Sequence, residues 1–148
     1  MSIKHRVLAC TAFAGLALGS AAAFAEEHAF TEGPVVNVAA IRTEPGKFDE
    51  YMKFLATTWK AEQEAGKKMG DVLSYRVITV EPRSENDPDL YLVVTYKNWA
   101  TLDGATAKAD AVAKQVEGSV DASNKGQADR GKIRRVLGSF TGQELSLK

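Results

Sequence analysis

The sequence predicts an α+β domain in which two strand-helix-strand halves build one antiparallel sheet with both helices on one face, the split βαβ arrangement. Three observations predict it. Runs of alternating β-branched and aromatic residues recur as short segments. Each of two such runs passes directly into a longer segment of helical period, and a polar, proline-bearing loop separates the halves. The order is therefore βαββαβ.

Ahead of the domain, Lys4, His5 and Arg6 form a basic head, VLACTAFAGLALG follows as an apolar run, and Ala23 and Ala25 give the small-x-small pattern of a signal peptidase site. The run is too short, and its flanks are wrong, for a stable membrane anchor. Residues 1–25 are read as a signal peptide cut after Ala25, which places the mature chain in the periplasm or outside the cell. VLAC faintly resembles a lipobox, but Val7, Leu8 and Ala9 alone separate Cys10 from the charged head, so Cys10 is expected to leave with the signal.

The mature chain then has no cysteine, one histidine (His28) and a slight acidic excess. Disulfide and thiol chemistry are excluded on that reading. Near-zero net charge argues against nucleic acid as a partner.

Residues 26–34 carry Gly33 and Pro34 without periodicity and are expected to be a mobile tail, with the domain spanning 35–148. VVNVAAI gives a first strand, Val35 to Ile41. Phe48, Tyr51, Met52, Leu55 and Trp59 follow at helical spacing, with Pro45 in the opening turn and Gly66 near the close. DVLSYRVITV and LYLVVTY, joined by EPRSENDPD, predict a hairpin. The carboxylates of that loop lack the spacing of a calcium loop, and turn formation accounts for them. A second helical pattern opens at Trp99 with Asn98 placed to cap it, and Gly104 and Gly118 predict a kink or break. IRRVLGSF and QELSLK give a last strand or a bent pair. The alternating charges of DRGKIRRV suit an edge strand guarded against aggregation. Strand alternation leaves open which parity faces the helices. The sheet face away from the helices needs cover, and if it is apolar a second copy can supply it.

IRTEPGKFDEY and VVTYKNWATL, where strands pass through a turn into the two helices, resemble the dimeric α+β barrel superfamily that includes antibiotic-biosynthesis-monooxygenase-like (ABM-like) domains, over about residues 35 to 147. The resemblance implies a ferredoxin-like fold, a homodimer and a small pocket between sheet and helices. Some members use that pocket for cofactor-free oxygenation and others for heme. Trp99 resembles the early second-helix tryptophan of the heme-degrading members, but residues 100 to 130 contain no histidine, so heme ligation from that segment is not expected.

Two groups of residues are candidate sites. Cleavage after Ala25 leaves Glu26-Glu27-His28 as the terminus, whose amine, two amide nitrogens and imidazole can wrap Cu(II) or Ni(II) in a plane. Chance explains such a tripeptide equally well, so no biological cofactor is expected and copper binding is read as adventitious. Trp59, Tyr75 and Trp99 are candidates to line a pocket for a small aromatic ligand, with Arg76 or Asn37 as the polar contact. Plain core packing is the competing explanation for the aromatic residues. Nucleophilic and zinc chemistry lack their residues, and no pair of carboxylates is singled out by spacing. Three functions stay open: an exported small-molecule-binding dimer, a cofactor-independent monooxygenase or isomerase, and a purely structural or interaction dimer.

Overall fold

A computed structural model describes residues 28–148. Strand β1 runs Phe30–Thr43, β2 Val72–Thr79, β3 Leu90–Tyr96 and β4 Arg134–Leu147, in the sheet order β2-β3-β1-β4 with every pairing antiparallel. Helix α1, Phe48–Phe54, passes through a π-helical turn, Leu55–Trp59, into α2, Lys60–Lys68. A 3₁₀ turn, Trp99–Leu102, precedes α3, Ala105–Glu117, and α4, Val120–Arg130. This is the predicted α+β, ferredoxin-like architecture, with the helices on one face of the sheet.

Register settles the parity that alternation left open. Tyr75 lies opposite Val94 and Val77 opposite Leu92, and Ile41, Leu90, Leu92 and Val94 pack with Tyr51, Leu55 and Trp59 in the core. Arg76 and Ile78 therefore project to the other face, beside Val93 and Tyr91. Burying each large side chain of the core stabilises the fold by about 1.5–3 kcal/mol.

The π turn has a geometric reason. Tyr51, Leu55 and Trp59 are spaced by four, and a 3.6-residue period would let such a row drift around the helix. One wider turn absorbs the drift, so all three reach the sheet, at 1%, 3% and 9% exposure. The hydroxyl of Thr57 donates to the Lys53 carbonyl at 2.8 Å, satisfying an acceptor beside that turn.

Several boundaries differ from the sequence reading. β1 begins at Phe30, so residues 30–34 are strand rather than a tail; Phe30, Thr31 and Glu32 pair with Leu147, Ser146 and Leu145. Gly66 lies near the close of the first helix, as expected, in the last turn of α2. A Cβ there would stand 2.7 Å from Val72 Cγ2, so glycine permits close contact with β2. The chain turns at Gly70, with φ +79°. The break expected in the second helical segment occurs at both glycines: Gly104 and Gly118 adopt φ +67° and +86° on either side of α3. Asn98 caps as expected, its Oδ1 accepting from the Thr101 N–H at 3.2 Å. β4 is one continuous strand, with register shifts in its pairing to β1 at Glu32/Val35 and Ala40/Ile41.

The face turned away from the helices carries Val36, Val38 and Ala40 from β1, in register with Thr95, Val93 and Tyr91. Phe140 of β4 stands beside Val38 and is 63% exposed. No helix among the described residues is long and apolar enough to cross a membrane.

Candidate functional site

A groove of about 380 Å³ opens between α2 and α3, over the start of β2 and the end of β3. It exists because α3 presents small residues where α1 and the π turn present large ones. Ala105, Ala109 and Ala113 approach the sheet side without filling it, and Val72, Leu102 and Val112 complete an apolar wall. Ala113 is the buried residue of α3.

Polar groups stand at two places in this wall. At one, Lys108 of α3 bonds Asp71 Oδ1 at 2.9 Å and the Thr101 carbonyl at 2.7 Å, tying the helix to the loop before β2. Tyr96, on the same wall, has its phenol held above its ordinary pKa by burial and by the Asp71 carboxylate. At the other, half-buried Glu62 of α2 faces Glu117, the last residue of α3.

The pKa of Glu62 is raised to about 7, first by desolvation, then by the Glu117 charge and by a hydrogen bond with Glu117, against a lowering by Arg130. Arg130 of α4 lies 3.9 Å from Glu117 Oε2 and stacks its guanidinium 4.3 Å from the Phe54 ring centre. Gly126 makes room for the pair, since a Cβ there would come within 3.1 Å of Arg130 Nη1 and 3.3 Å of Glu117 Oε2. Glu117 Oε1 is buried and accepts from no donor among the described residues. Two ionised carboxylates offer acceptors only; a proton on Glu62 turns the contact with Glu117 into a donor-acceptor pair. The arrangement holds a carboxylic acid at the groove wall near neutral pH, where it can donate a hydrogen bond or exchange a proton.

The residues singled out in the sequence fall elsewhere. Trp59 is core and meets Tyr75 edge-on at 5.4 Å between centroids. The Tyr75 hydroxyl donates to Glu64 at 2.6 Å, a bond that raises the tyrosine's pKa and lowers the glutamate's. Asn37 lies on the helix side of the sheet and donates to Thr141 Oγ1 at 2.9 Å and to the Phe140 carbonyl at 3.3 Å. Arg76 is exposed on the opposite face. Trp99, half exposed, donates its indole N–H to Gln143 at 3.0 Å, and Gln143 donates to the Gly33 carbonyl at 3.1 Å. None of these five is among the described residues lining the groove, and they do not converge. Of the terminal triplet, Glu26 and Glu27 lie outside the described residues, and His28 is exposed and stacks on Phe30 at 5.4 Å.

Glu62 and Glu117 escaped the sequence reading because they stand 55 residues apart on two helices whose mutual placement no local pattern records. The nearest available signal is the alanine-rich repeat of α3, which marks a helix that cannot fill the space beside it.

No family model and no curated relative matches the chain. Solved structures do. HapK from Hahella chejuensis is similar at TM-score 0.50 and 10% identity, over 74% of this chain and 91% of its own. A protein from Shewanella oneidensis is similar at TM-score 0.51 and 12% identity, over 79% and 98%. A dimeric ferredoxin-like protein from an uncultured marine organism is similar at TM-score 0.50 and 8% identity, over 80% and 90%. At these identities the likeness is one of fold. The chain has the ferredoxin-like α+β fold that its resemblance to the dimeric α+β barrel superfamily led us to expect.

Proposed function

We propose that this protein is an exported, homodimeric α+β barrel that binds a small, flat, largely apolar molecule in the groove between α2 and α3. The observation that carries the reading is the groove itself: a volume in the range of small-molecule sites, an apolar wall, and a few polar groups at separate places. The proposal assigns Trp59, Tyr75, Asn37 and Trp99 structural roles and gives ligand contact to the groove. Support for the dimer comes from the apolar residues of the face turned away from the helices, half-buried Val36 and Val38 with exposed Phe140, and from a solved relative in fold that is itself dimeric. Export rests on the signal-like residues 1–25, and nickel or copper at Glu26-Glu27-His28 is proposed as adventitious binding.

A hydrophobic fluorescent dye tests the groove. Saturable binding to the wild type that is lost in Ala109→Trp supports the reading, and equal binding by both proteins overturns it. Sedimentation equilibrium tests the dimer, which a monomer at micromolar concentration would refute. N-terminal sequencing of the protein recovered outside the cytoplasm checks the cut after Ala25.

A further inference from the structure

We infer that Glu62, on the groove wall and backed by Glu117 and Arg130, is a general base for the groove, and that the groove takes a small carbon acid, a flat molecule whose C–H is activated by an adjacent carbonyl or aromatic group. The inference rests on the groove being a ligand site, and it adds a reaction to that reading.

The geometry supplies the parts. Glu62 lies on the groove wall, within reach of a molecule bound there. Glu117 stands behind it on α3 and Arg130 behind that on α4. The guanidinium is stacked on Phe54, so the positive charge is held at a fixed place. Across the groove Lys108 is bonded to Asp71, with Tyr96 beside them. Glu62 is hydrogen-bonded with Glu117, whose Oε1 is buried without a partner among the described residues. Glu62 therefore has a natural place to keep a proton it has taken, against an acceptor that burial otherwise leaves unpaired.

The reaction needs no further reagent. In the ionised form, a Glu62 oxygen removes the proton from carbon. The electron pair of the broken C–H bond moves into the neighbouring π system to give an enolate. The proton, now on Glu62 and hydrogen-bonded to Glu117, returns to a second carbon for isomerisation or to the first for exchange. Apolar walls favour such a step because a poorly hydrated carboxylate is the stronger base. Carboxyl chemistry near pH 7 also suits the task, since Glu62 changes protonation state at about 7.

Glu117 and Arg130 act through Glu62 and are positioning residues. They push its pKa in opposite directions, Glu117 upward and Arg130 downward. A pH–rate profile that moves in these opposite directions is a signature no purely structural role produces.

The probe is nitrobenzisoxazole, a flat carbon acid. Loss of its C–H proton to a base sends the bond pair into a new nitrile, breaks the N–O bond and releases a coloured phenolate. The full-length mature protein is expected to accelerate this release beyond an equal concentration of free glutamate, with a rate that rises through pH 7. Glu62→Gln is expected to lose about a hundredfold. Glu117→Gln should move the midpoint of the pH profile down and Arg130→Gln should move it up. Equal rates for wild type and Glu62→Gln, no acceleration beyond free glutamate, or midpoints that stay in place would each overturn the inference. Carbon-13 NMR of the glutamate carboxyls, with Glu62 assigned by its absence in Glu62→Gln, reads the titration without any probe. A midpoint in the ordinary carboxylate range overturns the inference as well. Dye binding separates the two levels: dye bound by wild type and Glu62→Gln with no Glu62-dependent rate leaves the groove reading standing and removes the base, whereas absence of specific dye binding removes both.

Discussion

The two helical segments that cover this sheet do so in different ways. The first, from Phe48 through the π turn to Lys68, drives Tyr51, Leu55 and Trp59 into the core. The second is broken by Gly104 and Gly118, buries Ala113, and leaves α4 with no buried residue. The first segment anchors and the second roofs. Because the roof is built of small side chains and the anchor of large ones, space is left where they meet, and that space is the groove. Stability and the proposed ligand capacity are thus assigned to different lengths of the chain.

Mutation of the anchor is the severest test of this division. Trp59→Ala should cost about 3–5 kcal/mol by urea denaturation, because it removes a buried aromatic from a packed site. Ala113→Gly in the roof should cost about 1 kcal/mol, mainly through helix propensity. Equal costs for the two would break the comparison. Next comes Gly66→Ala, expected to cost about 1–3 kcal/mol, since the new methyl would stand 2.7 Å from Val72 Cγ2. Thermal unfolding would show it as a lowered Tm.

A pH dependence sharpens the meeting line between the segments. Glu62 binds its proton more tightly folded, up to about 7, than its ordinary value of 4.5. Between those values the folded state carries the extra proton, so stability contributed by Glu62 is full below about 4.5 and is lost as pH rises through 7. The difference in denaturation midpoint between wild type and Glu62→Gln should therefore shift against the wild type as pH increases across that window. The smallest effect belongs to Lys108→Met. Its ion pair with Asp71 is partly exposed, at 39% and 22%, and its loss should cost less than about 1 kcal/mol while changing which ligands the groove accepts.

Much of the architecture was legible in the residues, for identifiable reasons. Tyr51, Leu55 and Trp59 announced the first helix because one apolar row was unbroken. The polar loop from Glu81 to Asp89 announced the hairpin, and Asn98 announced its cap. Parity was not legible, since Tyr75, Arg76, Val77 and Ile78 set bulky groups on both sides, and pairing with β3 was needed to decide it. Gly66 stands near the helix end, as its place in the sequence indicates, but why it is glycine was not legible. Only the proximity of Val72 reveals it as a point of close packing. The first strand was read short because Gly33 and Pro34 interrupt alternation, while β4 still pairs with the residues beyond them. The site was harder still. Aromatic residues drew attention as pocket candidates, yet Trp59 lies in the core, and the groove is bounded by alanines that carry no individual signal. Glu62 looks like any solvated helix residue until α3 and α4 bring Glu117 and Arg130 to it.

The wide turn at Leu55–Trp59 works as a phase adjustment written into the length of the gene. Inserting one further codon there, beyond what the wide turn already absorbs, would turn everything from Lys60 to Lys68 by about 100° about the helix axis. The glutamate of that stretch would swing away from its partner, and its buried glycine would leave the contact that requires it, although neither had been altered. Frame-preserving insertions in these five positions should accordingly be as damaging to the proposed chemistry as direct replacement of the acid itself.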